Sequence, residues 1–225
     1  MILRLFANLF CMKIREIEKE PDVPELSVDQ IKILTDLCFR ADDVLEPADL
    51  IFVFGSYNHV QELAGIISDL LSKKLSNKVF ITGGLPNYVD SAKINKAESL
   101  LVLDLIDQRQ FEGVKFYTED KSLHTTGNVT EALRVLDFSD YKRIIYIFKS
   151  HTSGRGYLTL KKYLPNAKLM QKTFNACYHD GQEVITRENW YKTALGRKRV
   201  WGDYLRIKKY SERGDIAKPE GIKWF

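Results

Sequence analysis

Cysteine is scarce in this chain of 225 residues: Cys11, Cys38 and Cys177 are odd in number, widely spaced, and lack the close pairing of zinc or redox motifs. That argues against a disulfide framework or a structural metal and points to reduced thiols in a cytoplasmic protein. Proline is sparse and low-complexity tracts are missing, which argues against disorder and leaves the whole chain to fold, with one domain as the default for this length. Long apolar runs are lacking too. The stub Met1 to Cys11 carries Arg4 and Asn8 and falls short of the ~20 residues of a spanning helix. A cleaved signal fits poorly, because charged Lys13 to Glu20 follow without a small-residue cleavage pattern, and Met12 is an alternative start. Net charge is only +4, too little to demand a polyanionic partner. Neither G-x-G-x-x-G nor G-x-x-x-x-G-K-[ST] occurs, so no standard dinucleotide or phosphate loop is read.

What is present is an alternation. Ser27 precedes Ile31, Leu34, Leu37 and Cys38 at helical spacing, and predicts a leading helix. Leu50 to Phe54 is a continuous apolar run of the kind buried on both faces of a parallel sheet. A helix through Leu63, Ile67 and Leu70 follows, then a short strand at Val79 to Ile81, a helix through Ala97 to Leu105, and a strand near Val114 to Tyr117. A helix through Val129 and Leu136, a strand Arg143 to Phe148, a helix from Gly154 to Leu164 and a strand Lys168 to Phe174 complete the series. The expected fold is a Rossmann-like α/β sheet of about five parallel strands with helices on both faces. A helical lead (1–46) precedes this core (47–176), and a helical extension (177–225) follows it, in a single domain.

In such sheets ligands bind beyond the carboxyl ends of the strands, and four post-strand segments are unusual. Gly55, Ser56 and Asn58 form a small polar turn entering a helix, a cradle for an anion or an ordinary turn. Gly83 and Gly84 offer exposed backbone, while Glu98 downstream faces either the crevice or solvent. Glu119, Ser122, Thr125 and Asn128 make the densest polar loop, with Thr125 read as a helix cap. Lys149 and Arg155 follow the most apolar strand. Cations at a helix start oppose its dipole at a cost of ~0.3–1 kcal/mol unless an anion offsets it. The alternative for Arg155 is an ion pair with Glu119 or Glu98. His151, between them, reads as a hydrogen-bonded turn residue or a general base.

The order and spacing of these segments resemble the YdcF branch of the YdcF/SanA/ElyC family, a bacterial family with a Rossmann-like fold and no established reaction. The resemblance runs from about Asp49 to Asp215. It rests on the run from Ala48 to Gly55, on Ile81-Thr82-Gly83-Gly84 with Ala97-Glu98, and on Glu119, Thr125 and Asn128. It continues in Lys149, Arg155, Tyr157, Thr159, Lys161, Lys162 and Pro165, then in Gly202 to Ile207 with Tyr210. Gly127 stands where the family carries a glutamate, and Ser150 and Gly154 replace expected arginine or proline positions. The resemblance implies a nucleotide-type ligand, with S-adenosylmethionine the foremost candidate, and no metal.

Three functions follow as expectations. One is a protein that binds a nucleotide-type small molecule through the residues above, acting as a transferase or hydrolase with Glu98 or Glu119 as acid or base. The second is a nucleic-acid-binding module using the basic stretch Arg197 to Lys209 with Trp190 and Trp201. The third is a protein-interaction module, in which the aromatic C-terminal segment docks a partner or a second copy.

Overall fold

The computed structural model describes residues 16–85, 95–178 and 181–225, so the expectations for the stub Met1 to Cys11 and for Met12 lie outside the described residues. The leading helix, α1 (Val28–Cys38), begins in a reciprocal capping box. The Ser27 hydroxyl accepts from the Gln30 N–H, and the Gln30 side chain accepts from the Ser27 N–H at 2.8 Å.

The apolar runs become β1 (Leu50–Val53), β2 (Lys78–Ile81), β3 (Lys115–Thr118), β4 (Arg143–Lys149) and β5 (Lys168–Phe174). They form one parallel sheet in the order β3-β2-β1-β4-β5, a Rossmann-like α/β fold. Period-two alternation sorts the side chains of the central strands into two kinds of surface. Ile51, Val53, Val79, Ile81, Ile145 and Ile147 make an aliphatic face covered by α2 (Val60–Ser72) and α3 (Glu98–Asp104). Phe52, Phe54, Phe80, Tyr146 and Phe148 make an aromatic face covered by α4 (Thr125–Val135) and α5 (Ser153–Tyr163). Rings on that face meet closely, with the Phe54 and Phe148 centroids 4.4 Å apart. The helices after β1 and β2 lie on one face and those after β3 and β4 on the other, so the winding reverses between the adjacent strands β1 and β4. A crevice opens beyond their carboxyl ends.

The C-terminal segment departs from expectation. Instead of being helical from Cys177, it opens with an antiparallel hairpin of β6 (Ala176–Tyr178) and β7 (Glu183–Ile185). Strands of this length carry too few residues for alternation to declare itself. The long helix α6 (Ala194–Arg213) follows, capped by the Thr193 hydroxyl and ended by Gly214 in the left-handed region. With α1 and the hairpin, α6 builds a third cluster around Leu34, Trp190, Val200, Tyr204 and Ile207. This layer is clamped to the core where α1 meets α5 backbone to backbone. A Cβ on Gly154 would stand only 1.8 Å from the Leu37 carbonyl oxygen. Among the described residues no helix is long and apolar enough to cross a membrane.

Candidate functional site

The crevice is a cleft of about 690 Å³, and the loops after β1 to β4 converge on it. Of the residues read from the sequence, Gly55, Ser56, Gly84, Glu98, Ser122, Thr125, Asn128, Lys149 and Arg155 line it. Asn58 does not; it is exposed on the 3₁₀ turn that follows β1. Gly83 and Glu119 also stand outside the lining.

Glu119 is 4% exposed and is spent on folding its own loop. Its carboxylate accepts from the N–H groups of Gly83 at 2.6 Å, Lys121 at 3.1 Å and Ser122 at 3.0 Å, and from the Ser122 hydroxyl. Glu98, the other candidate acid or base, does line the cleft and accepts from the Tyr57 N–H at 3.0 Å. The glycines have a similar explanation. A Cβ on Gly55 would meet the Thr82 carbonyl at 2.4 Å, and one on Gly84 the Asp120 carbonyl at 2.7 Å. Protein backbone already occupies the space that missing side chains leave.

The third segment is also tied inward. Helix α4 is capped by His124, whose Nδ1 accepts from the Gly127 N–H at 2.9 Å; Thr125, expected as the cap, is the first helical residue instead. The Asn128 amide donates to the Thr82 hydroxyl at 2.7 Å, and that hydroxyl donates to the Val53 carbonyl at 2.8 Å. This chain of bonds fixes α4 against the ends of β1 and β2.

The fourth segment differs. Arg155 finds neither Glu119 nor Glu98 but Asp203 of α6, Nε to Oδ1 at 2.6 Å, and also donates to the Thr125 hydroxyl. Lys149 makes no ion pair or hydrogen bond from its ammonium among the described residues. Burial first, then the positive charges of Lys19, Arg155 and Arg199, hold its pKa down to about 8 against the pull of Glu98. His151 lines the cleft at 3% exposure, and its Nδ1 has no partner among the described residues. Its Nε2 faces the Tyr178 hydroxyl at 3.3 Å. Burial, with Lys149, Arg199 and Arg155 nearby, pushes its pKa well below the usual imidazole range, so the ring is neutral.

A neighbouring imidazole connects the two sides. His59 Nδ1 meets the Ser56 hydroxyl at 2.9 Å, and Nε2 lies 3.1 Å from the backbone of Cys177. Burial and Lys149 lower its pKa to about 4.

The sequence reading missed one wall altogether. Arg199, Asp203, Arg206, Tyr210 and Arg213 line the cleft from α6. Their spacing of four, three, four and three residues is a single helical stripe, the one signal that betrays them. The described N-terminal residues lie across this wall: Arg199 pairs with Glu20 at 2.7 Å, Arg213 with Glu16 at 2.8 Å, and Arg206 donates to the Ile17 and Glu18 carbonyls. The aromatics proposed for nucleic acid are committed elsewhere. Trp190 is fully buried with its indole N–H on the Thr35 hydroxyl, and Trp201 stacks on Tyr204 and Phe225.

No family model, no curated protein and no solved structure matches this chain.

Proposed function

We propose that the chain binds a nucleotide-type small molecule in the crevice beyond β1 and β4. The YdcF-like ordering of motifs supports this reading, and S-adenosylmethionine stands among the candidate ligands. The observation that carries it is Lys149: a cation at the reversal point of the sheet, near the unpartnered Nδ1 of His151, that makes no ion pair or hydrogen bond among the described residues and whose charge is opposed more by burial and neighbouring cations than favoured by Glu98. Such an arrangement is costly in the free protein and is offset by an anionic ligand.

A transferase or hydrolase acting on that ligand draws its acid or base from Glu98, the candidate carboxylate that faces the cleft. Unpaired Cys38 and Cys177 fit a reducing, cytoplasmic setting. The test is a thermal-shift titration of the full chain with AMP, ADP, ATP, adenosine and S-adenosylmethionine at millimolar concentrations. At 100 times Kd a bound ligand adds ~2.7 kcal/mol to stability. Stabilisation by at least one member, lost in Lys149→Ala, is expected; an unchanged melting temperature with every member overturns the proposal.

A further inference from the structure

We propose that the group seated at the β4 end of the cleft is a phosphoryl group, held by Lys149 and His151 Nδ1 with Arg199 alongside. The ligand is thus a phosphorylated compound and not a sulfonium. The inference rests on the nucleotide-type reading above and narrows its ligand class.

Three observations converge on it. First, the lining carries six basic side chains (Lys19, Lys149, Arg155, Arg199, Arg206, Arg213) against four acidic ones (Glu16, Glu98, Asp203, Asp215), a formal excess of two positive charges with histidines neutral. A sulfonium would enter a field that already opposes the Lys149 ammonium, whereas a phosphoryl group relieves it.

Second, donors are in excess at the β4 end: with the Lys149 ammonium, the atoms unpaired among the described residues are the donors His151 Nδ1 and Arg199 Nε against the acceptor Asp203 Oδ2 and the Ser150 hydroxyl. Burial raises the Tyr178 pKa to about 12, so its hydroxyl keeps its proton and is placed to donate to His151 Nε2. With that bond made, the proton of the neutral ring sits on Nδ1, a buried donor without an acceptor among the described residues. The Lys149 ammonium adds three further donors. A phosphoryl group brings several acceptor oxygens to one point, as this constellation requires.

Third, the segment from Ser150 to Thr152 runs directly into α5, whose first turn contains no acidic residue. His151 and Thr152 of that segment lie in the lining, so no side-chain carboxylate of the α5 start competes there with an anionic ligand. The partial pairing of the neighbouring cations sets the limits of the subsite. Arg155 is held by Asp203 and the Arg199 Nη2 by Glu20 at 2.7 Å, which leaves Lys149 and His151, with the Arg199 Nε, for the ligand.

The test is calorimetric titration of the full chain with adenosine, AMP and S-adenosylmethionine at fixed ionic strength, on wild type, Lys149→Ala and His151→Ala. AMP is expected to bind about tenfold or more tighter than adenosine, the scale of charge-assisted hydrogen bonds. S-adenosylmethionine is expected to bind no tighter than adenosine, and each substitution to erase most of the AMP advantage while leaving adenosine binding in place. Should a variant fail to fold, the wild-type comparison of AMP with adenosine still decides. Equal affinity for AMP and adenosine, or tightest binding of S-adenosylmethionine, overturns the phosphoryl assignment and leaves the nucleotide-type reading standing. No binding by any of the three overturns both.

Discussion

The two sides of the cleft are built from similar polar residues and behave differently. On the β2–β3 side, Glu119, Asn128 and Thr82 are satisfied within the protein by backbone N–H groups and one another. On the β4–α6 side, His151 Nδ1, Arg199 Nε and Asp203 Oδ2 are buried without partners among the described residues, and the Lys149 ammonium, though drawn by Glu98, makes no ion pair or hydrogen bond there. The difference teaches that density of polar residues marks a loop that must fold itself. A deficit of partners is what the ligand proposed for this cleft would fill.

Substitutions should therefore cost stability where a side chain is paired and little where it is not, and we predict four outcomes that test this contrast. The largest effect belongs to Asp203→Ala. Arg155 is 13% exposed and would be left as a buried cation without its carboxylate, a loss of about 3–5 kcal/mol in urea-induced unfolding. A loss under about 1 kcal/mol would mean that Arg155 was never dependent on the pair. Next is Glu119→Ala, which orphans the N–H groups of Gly83, Lys121 and Ser122. We expect about 3 kcal/mol, read by calorimetry as a fall of roughly 6–12 °C, with ligand affinity little changed once the protein is folded.

His59, which joins the Ser56 turn after β1 to the Cys177 backbone of β6, provides a pH test. Its pKa falls from 6.5 to about 4 on folding, so the unfolded chain binds the proton more readily. The stability tied to the neutral ring is complete above pH 6.5, declines as pH drops below that, and is gone below about pH 4. The amount is on the order of 3 kcal/mol at most. Urea titrations of wild type and His59→Gln between these limits should diverge by that much. Parallel curves would show that burial and Lys149 do not hold the ring neutral. The smallest effect has the opposite sign: Lys149→Met should raise the melting temperature slightly, since it removes a charge opposed by burial, Lys19, Arg155 and Arg199 and favoured only by Glu98. A marked fall would identify Lys149 as a structural cation.

The sheet was legible because its strands are short apolar runs between turn residues, and Leu50 to Val53, buried on both faces, announces a central strand. The helix start at Ser27 was legible for an equally local reason. The α6 wall was not. Its stripe of Arg199, Arg206 and Arg213 has the same period and composition as a solvated face, and only the position of the cleft distinguishes them. The Arg155 partner was hidden by distance along the chain, since Asp203 lies 48 residues downstream, beyond the rest of α5, β5, the hairpin and half of α6. The cap of α4 was misplaced by a single residue because His124 and Thr125 both carry a suitable acceptor, and the hydroxyl is used by Arg155 instead.

The strand order also has a temporal consequence. Leu50 pairs with Ile144 in the finished sheet, but Ile51 finds Val79 long before β4 leaves the ribosome. The β2–β3 side, where Glu119, Asn128 and Thr82 are already paired, can consolidate early on the emerging chain, while Lys149, His151 and the α6 arginines arrive only with the last third of synthesis. The finished cleft is therefore a property of the complete chain and not of its first two thirds.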